Sequence, residues 1–463
     1  MTDTEALRKK VIDLAIQGKL TEQLPSDGDA EDLYAQIQEE KAKLIKEKKI
    51  KKEKPLPEIT DDEIPFEIPK NWKWVRLTSI YFQVGNKDKQ IQSNELLSKG
   101  DFPAISQGKK YIDGWCNDTN KVIDNVPLVL FGDHTKNVKY IDTPFVVCAD
   151  GTQLLKPIVI DCRYFYYVIT YLSDLIDDRG YSRHFSLLKK TLLPLPPLTE
   201  QNRIIEKLDK VLSQIDEIDT LQEKYSYDLT VLKNKIIDAG IQGKLTEQLP
   251  SDGDAETLYA QIQEEKAKLI KEGKIKKEKP LPEIEADEIP FEIPKNWKWT
   301  RLQEIALTIV DCPHSTPKYY EETTSYYAID TNCIDENGDI TGLRNVDEND
   351  YYKRISRLEP ALGDIVYTRE GSICRASVLP SHKKICLGQR VMLIRCPDIL
   401  DVYYIKRILM AQQMVRILTL KQRGIGVNHV NVGDVCKLVI PLPPLAEQKR
   451  ISEKIDAIME QLG

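Results

Sequence analysis

The chain has 463 residues, 41% of them hydrophobic and 30% charged, which is the balance of an ordinary globular protein of two to four domains. It contains no run of about 18 apolar residues and starts with a polar segment, so we expect a cytoplasmic protein without a membrane span or signal peptide. A net charge of −7 argues against strong unaided binding to nucleic acid.

The first segment, residues 1–77, begins with two helical patterns. Leu7, Val11 and Leu14 recur at helical spacing. A lysine-rich helix is predicted over residues 30–54. Its lysines fit either a phosphate or partner contact or, more simply, a solvated face balanced by glutamates. We favour the solvated face.

A proline-rich linker then leads out of this segment. Its four prolines lie between residues 55 and 69 and indicate an extended chain. Trp72 and Trp74 follow and alternate as in a strand. We expect them to anchor the linker to the next domain as part of its core.

Residues 78–193 form a first insert of mixed α/β character. Strands are predicted at residues 128–131, 145–148 and 158–161, with a helix over 164–176. The predicted loops Ser106–Lys110 and Asp133–Asn137 and the polar cluster around Gly180 concentrate side chains that donate to base edges or phosphates, although ordinary surface turns have the same composition. The candidate DNA-binding residues are Gln107, Lys109, Lys110, His134, Thr135, Lys136, Asn137, Arg179, Tyr181, Ser182, Arg183 and His184.

The central segment, residues 194–302, starts with Pro-Leu-Pro-Pro-Leu-Thr-Glu-Gln and a long helix. Apolar residues alternate at spacings of 4 and 3, the pattern of a coiled-coil seam, and about 40 residues would make a rod of roughly 60 Å. Gln222 interrupts the seam and either fixes the register or is simply tolerated. The predicted seam is Ile204, Leu208, Val211, Ile215, Ile218, Gln222, Tyr225, Leu229, Leu232, Ile236 and Ala239.

An internal repeat follows the long helix. Residues 241–299 repeat residues 16–74 with four differences in 59 positions, and the second copy ends in Trp297 and Trp299. Drift after a duplication would alter all parts of the chain equally. We therefore expect the two near-identical frames to meet the same kind of partner, whereas the inserts meet different targets.

Residues 303–440 form the second insert, which shares little sequence with the first. Strands are predicted at 365–368 and 391–396, and a helix over 402–419. The first insert holds 14 basic and 13 acidic residues and the second 17 of each, so each insert is neutral and would bind DNA weakly alone. The loops Asp311–Lys318 and Arg369–Arg375 and the cluster around Gly424 supply the candidate DNA-binding residues here, which are His314, Ser315, Thr316, Lys318, Arg369, Arg375, Arg423, Asn428 and His429.

The last segment, residues 441–463, repeats the proline motif as Pro-Leu-Pro-Pro-Leu-Ala-Glu-Gln and then the first half of the long helix. The start of the chain resembles the second half of that helix. We therefore predict that the two half-helices complete a second rod, antiparallel to the first. The result is an α+β fold with two mixed α/β domains joined by two long antiparallel helices in a pseudo-twofold, cyclic arrangement.

Motifs of catalysis are missing from the sequence. It contains no phosphate-binding GxxxxGK[ST], no GxGxxG, no HExxH and no GxSxG. The five histidines are dispersed, and we predict no metal site. The nine cysteines form no CxxC pair and are predicted to be reduced thiols.

The two PLPPL(T/A)EQ elements with their long helices, the IPKNWKW segments and the stretches 11–20 and 236–245 together resemble the specificity subunits of type I restriction–modification systems. The resemblance covers essentially the whole chain. It implies that residues 78–193 and 303–440 are two target recognition domains that read the halves of a bipartite, asymmetric DNA site. The conserved regions 1–77, 194–302 and 441–463 would hold them apart.

The resemblance also implies the partners. The conserved regions would dock two methyltransferase subunits and, through these, the restriction subunits. This chain would then be non-catalytic and bind no cofactor, whereas S-adenosylmethionine, ATP and Mg would belong to the partners. Two alternatives remain open: a helical scaffold whose inserts bind proteins, and a self-sufficient DNA enzyme, which the missing motifs disfavour.

Overall fold

The chain divides into two units, Met1–Lys224 and Tyr225–Gly463, and the boundary falls inside one long helix. The computed structural model describes residues 2–52, 57–148, 151–177, 180, 182–380, 383–420 and 429–463. In that part of the chain we find no helix that is long and apolar enough to cross a membrane.

In its described residues the first unit contains five α-helices, the last of which runs on into the second unit. They are α1 (Thr4–Ile16), α2 (Ala30–Lys46), α3 (Cys162–Leu175), α4 (Phe185–Leu188) and α5 (Leu198–Ile241). Its strands are β1 (Lys73–Arg76), β2 (Tyr81–Val84), β3 (Gln90–Ile91), β4 (Phe102–Ile105), β5 (Gly114–Cys116), β6 (Val122–Ile123), β7 (Leu128–Gly132), β8 (Val138–Ile141), β9 (Phe145–Cys148), β10 (Thr152–Pro157) and β11 (Leu192–Leu195).

The second unit repeats this plan with more short helices. Its helices are α6 (Ala255–Lys271), α7 (Leu302–Ile305), α8 (Glu348–Arg354), α9 (Val402–Met410), α10 (Gln412–Leu420), α11 (Val432–Cys436) and α12 (Leu445–Leu462). Its strands are β12 (Lys298–Arg301), β13 (Thr308–Asp311), β14 (Tyr326–Ile329), β15 (Arg344–Val346), β16 (Ile365–Thr368), β17 (Ala376–Val378), β18 (Lys384–Leu387), β19 (Val391–Arg395) and β20 (Val439–Leu442).

The main sheets of the two inserts have the same topology despite the different sequences. The main sheet has the antiparallel order β2-β10-β7-β8 in the first and β13-β19-β16-β17 in the second. A smaller mixed sheet lies beside it, in which β4 runs parallel to β9 and β14 parallel to β18. The expected α+β fold with two mixed domains is therefore confirmed.

One of the two inner strands of each main sheet, β7 or β16, is buried on both faces. Val129 and Phe131 face the core that contains α3, whereas Leu128 and Leu130 face the smaller sheet. This two-sided burial explains why β7 is a continuous apolar run rather than an alternating one. Strand β16 is divided between two cores in the same way.

Most predicted elements of the inserts are confirmed, but residues 158–161 are not a strand. Strand β10 ends at Pro157, and Val159 turns the chain with a φ of 67°. Asp161 then caps α3, because its carboxylate accepts hydrogen bonds from the N–H groups of Arg163 and Tyr164. The apolar residues 158–160 therefore form the bend that leads into a helix.

The single helix predicted over 402–419 is also corrected. It is divided into α9 and α10 at Ala411, which has an extended ψ of 134° and is buried. The break interrupts the helical hydrogen-bond ladder. The second helix then buries Met414 and Leu418 in the core of the unit.

Each frame binds the strand of its tryptophan segment to the strand of its proline motif. Strand β1 pairs with β11, so that Trp74 lies opposite Pro194, and β12 pairs with β20, so that Trp299 lies opposite Pro441. Trp72 itself precedes the strand and is buried at 6% exposure. These strand pairs lie where the chain enters and leaves each insert.

The helices α1 and α12 pack against the two ends of α5, as the sequence predicts, but they leave its middle exposed. In the first unit α1 runs antiparallel to α5 and reaches Gln222, whose side chain bonds to the backbone of Thr2. In the second unit α12 runs antiparallel to α5, and Lys233 donates to the carbonyl of Gly463. That the two half-helices form one rod stays a prediction.

The predicted seam is buried only where these partners lie. Ile204, Leu208 and Ile215 are buried, whereas Tyr225 is 62% and Leu232 45% exposed. The heptad spacing continues through the middle of α5, but the burial does not. The seam prediction is therefore wrong for that stretch.

Candidate nucleic-acid interface

Loop cluster 1 is the set of the segments Ser106–Lys110, Asp133–Asn137 and Ser182–His184 in the first insert. The sequence singled out these segments separately, and the structure brings them together. The backbone carbonyl of Gln107 accepts from Thr135 Oγ1 at 2.7 Å and from Asn137 Nδ2 at 2.8 Å. Its side-chain oxygen accepts from the N–H of His134 at 3.0 Å.

The third segment joins the cluster through Asp133. The N–H of His184 donates to the carbonyl of Asp133 at 2.8 Å, and the N–H of Phe185 donates to its carboxylate at 2.8 Å. The His184 ring lies 3.0 Å from the same carbonyl and is only 1% exposed. His184 therefore positions the loops rather than presenting its ring to solvent.

Lys139 was not predicted from the sequence as part of the site. Its side chain supports the loop Ser106–Lys110. It is 6% exposed on β8, and its ammonium donates to the carbonyls of Ser106, at 2.8 Å, and Lys110. Burial lowers the pKa of Lys139. A lysine inside an apolar strand is the only trace of this role in the sequence, because its partners lie about 30 residues away.

The remaining candidates of loop cluster 1 differ in exposure. Lys136 has a φ of 58° and donates to the carbonyl of Ile176 at 3.1 Å, which ties the loop to the end of α3. Ser182 is half-buried. The exposed residues are Lys109, Lys110, Thr135 and Arg183.

Loop cluster 2 is the set of Asp311–Lys318, Arg369–Arg375 and His429 in the second insert. Arg369 is 5% exposed, and its guanidinium binds the carboxylate of Asp311, with Nε 2.9 Å from Oδ1. His429 Nδ1 lies 3.2 Å from Glu370 Oε1, and the N–H of Val430 donates to the carbonyl of Arg369 at 2.8 Å.

Other contacts fix the edges of loop cluster 2. Arg375 donates to the carbonyl of Ile334 at 2.8 Å, and Arg354, which the sequence did not suggest, reaches Ser315 Oγ at 3.4 Å. The Lys318 ammonium lies 4.9 Å from the centre of the Tyr320 ring. The exposed residues of this cluster include His314, Ser315, Thr316 and Lys318.

Two segments of each cluster lie at equivalent places in their inserts. Each cluster binds the loop after an inner strand, β7 or β16, to the segment that precedes the return to the frame, whereas the third segment follows β4 in the first insert and β13 in the second. The candidates Arg179, Tyr181, Arg423 and Asn428 lie outside the described residues.

The cysteines and acidic groups offer no second kind of site in the described chain. All nine cysteines are free, and burial raises the pKa of Cys312 and Cys374 beside loop cluster 2. Within the residues that the structure describes, no group of three or more His, Cys, Asp or Glu side chains is arranged to hold a metal ion.

Residues 69–224 and 321–462, together more than half of the chain, match the family model of the type I restriction modification DNA specificity domain. The specificity subunit of the type I restriction enzyme EcoAI from Escherichia coli is 30% identical over 365 residues, covering 65% of this chain. The chain spans 62% of the length of that relative. The EcoEI specificity subunit of the same organism is 26% identical over 525 residues, covering 97% of this chain and 88% of that protein.

The fold also has a solved counterpart. A chain from a structural study of complex assembly and conformational transition of the type I R-M system superposes with a TM-score of 0.56. The two are 17% identical, and the match covers 86% of this chain and 92% of that chain. This chain thus has an architecture of two like frames that carry two unlike inserts. The chain belongs to the type I restriction modification DNA specificity family.

Proposed function

We propose that this chain is the DNA-reading subunit of a type I restriction–modification complex. Each insert reads one half of a bipartite, asymmetric DNA site through its own loop cluster. The proposal is supported above all by the two loop clusters, which share two equivalent segments on one main-sheet topology but differ in sequence. Equivalent placement suits one kind of ligand, and different side chains suit different base sequences.

Within each cluster the exposed side chains would meet DNA, and the buried ones would position them. Lys109, Lys110 and Arg183 in the first insert and Lys318 in the second suit phosphate contacts. His314, Ser315 and Thr316 carry groups that hydrogen-bond to base edges, whereas the Thr135 hydroxyl already donates to the carbonyl of Gln107. His184 and Arg369 are buried in ordered contacts, so their contribution would be to the shape of the loops.

The near-identical frames would dock two methyltransferase subunits, and restriction subunits would join through these. Two copies of one surface suit two copies of one partner. The frames include the exposed lysines of α2 and α6, but Lys41 and its counterpart Lys266 donate to backbone carbonyls of the same unit, at Thr78 and Gln303. These two lysines therefore hold the frame to its insert.

Catalysis would belong to the partners. In this proposal the methyltransferase subunits bind S-adenosylmethionine and methylate adenine, and the restriction subunits use ATP and Mg to cleave DNA. The neutral inserts would gain much of their non-specific affinity from those subunits, because counterion release scales with the number of phosphates contacted.

Methylome sequencing tests this function. A host that carries this chain with its cognate methyltransferase is compared with one that carries the methyltransferase alone. We expect a bipartite methylated motif that disappears without this chain. Unchanged methylation would instead favour a scaffold whose inserts bind proteins. Methylation by the purified chain alone would indicate a self-sufficient DNA enzyme.

A further inference from the structure

The inserts share one short feature at the place where each meets its frame. In the first unit the N–H of Asp161 donates to Gln201 Oε1 at 3.2 Å. Three residues on, the buried Tyr164 donates its hydroxyl to the carbonyl of Pro194 at 3.0 Å. Two hydrogen bonds to the proline motif thus hold the first turn of α3.

The second unit repeats these contacts with different neighbours. The N–H of Asp401 donates to Gln448 Oε1 at 3.0 Å, and the hydroxyl of Tyr404 donates to the carbonyl of Pro441 at 3.3 Å. Burial raises the pKa of both tyrosines well above its usual value, so both hydroxyls remain donors. The first turns of α3 and α9 are therefore held in the same way.

A glutamine suits this contact between the insert and the proline motif because its side-chain amide both donates and accepts hydrogen bonds. Gln201 is fully buried, and while its oxygen accepts from the insert, its Nε2 donates to the carbonyl of Pro196 at 2.9 Å. Gln448 donates to the carbonyl of Pro443 at the same distance. A carboxylate would lack the donor, and an apolar side chain would leave both the carbonyl and the N–H unpaired.

We propose that the Asp-x-x-Tyr segments 161–164 and 401–404 are a common docking element and that Gln201 and Gln448 are positioning residues for DNA reading. Because the contacts are the same in both frames, each glutamine orients the first turn of the helix of its own insert in the same way. This inference rests on the proposed DNA recognition. It adds that each glutamine positions its own insert for the reading of one half-site.

The docking element can set the position of the reading loops because α3 connects them. Asp161 begins α3, and Ile176, just past its end, accepts from Lys136 of loop cluster 1. A tilt of α3 at Asp161 would therefore move the loop that faces DNA, even though Asp161 lies at the opposite end of the helix.

The first experiment places the first insert on both frames. Residues 303–437 are replaced by 78–190, which keeps the equivalent backbone bonds from Leu77 to Thr191 and from Leu302 to Leu438 outside the exchange. We expect the methylated site to contain the half-site of the first insert at both ends and that of the second at neither. A chimera that folds and binds the methyltransferase but directs no such methylation would overturn the inference.

The second experiment uses Gln201→Ala and Gln448→Ala as a matched pair. Each should reduce discrimination about tenfold at the half-site of its own insert only, measured as methylation of sites with one altered half. A merely structural role would relax both half-sites equally or lower stability with discrimination intact, and either result would contradict the proposal.

Measurements on the unmodified chain distinguish a failure of the proposed function from a failure of the docking element. If it directs no sequence-specific methylation with its methyltransferase, the proposed function itself is wrong. If it does so, but the chimera and the glutamine variants behave otherwise than expected, only the common docking element is rejected.

Discussion

The indole Nε1 of Trp72 donates to the carboxylate of Glu200 at 2.8 Å, across 128 positions of the chain and at full burial of the glutamate. The second frame repeats the bond between Trp297 and Glu447, also at 2.8 Å. In each frame the other carboxylate oxygen accepts from a glutamine, Gln23 or its counterpart. One acidic residue thus joins the tryptophan segment, the proline motif and the loop after the first helix.

Replacing Glu200 or Glu447 should destabilise only the unit that contains the replaced residue. Glu200→Ala leaves the buried indole N–H and the Gln23 amide without their partner, at a cost of about 1–3 kcal/mol for each unsatisfied group. Urea unfolding followed by hydrogen exchange should show the loss in residues 2–224. The matched variant Glu447→Ala should show it in the second unit, and an unchanged unfolding midpoint for both would contradict the assigned bonds.

Acid should weaken each frame through a buried aspartate. The Arg203 guanidinium, with Nη1 2.5 Å and Nη2 2.6 Å from the carboxylate oxygens, holds the pKa of Asp27 below its usual value. Because the folded pKa is depressed, this stabilisation is present above the ordinary aspartate pKa of about 3.9 and is lost as pH falls below it.

Asp27→Asn provides the control for that pH dependence. It should unfold at a lower temperature at neutral pH but lose less further stability between pH values of about 5 and 3. Thermal unfolding across this range measures the difference. An Asp27→Asn protein with the pH profile of the unmodified chain would show that the ion pair with Arg203 does not form.

Lys139 should matter for reading one half-site. Lys139→Met keeps the length of the side chain but leaves the carbonyls of Ser106 and Lys110 without their donor. We expect loosened discrimination at the half-site of the first insert, by about tenfold, while the half-site of the second insert keeps its selectivity. Methylation assays on duplexes with one altered half-site test this, and equal effects on both halves would contradict it.

Lys109 and Lys110 should act on affinity rather than on sequence choice. Each lysine is exposed and suits a phosphate, so each alanine substitution should weaken binding uniformly across sequences and lower the salt slope by about 1. DNA binding of the assembled complex at several salt concentrations measures the slope. The exposed Lys99, outside loop cluster 1, serves as the control, and Lys99→Ala should leave the slope unchanged.

The repeat, the proline motifs and the apolar runs were enough to predict the two frames, the two inserts and most of their central elements. These features are local, since strands such as 128–131 and 145–148 are specified by residues that lie next to one another. The same locality explains two errors. The bend at Val159 and the break at Ala411 depend on a cap and on core packing that a run of apolar letters does not contain.

The polar composition of the candidate site could be predicted from the sequence, but the contacts that assemble the site could not. The sequence indicated polar loops beside glycines, and it could not show that Gln107, Asp133 and Lys139 bind three of them into one cluster, because these contacts join residues about 30 to 50 positions apart. The sequence by itself determined that like frames carry unlike inserts, since identity and difference are written in it directly. Only the tertiary structure decided which side chains face solvent and which are buried as supports, because burial depends on neighbours that folding brings together.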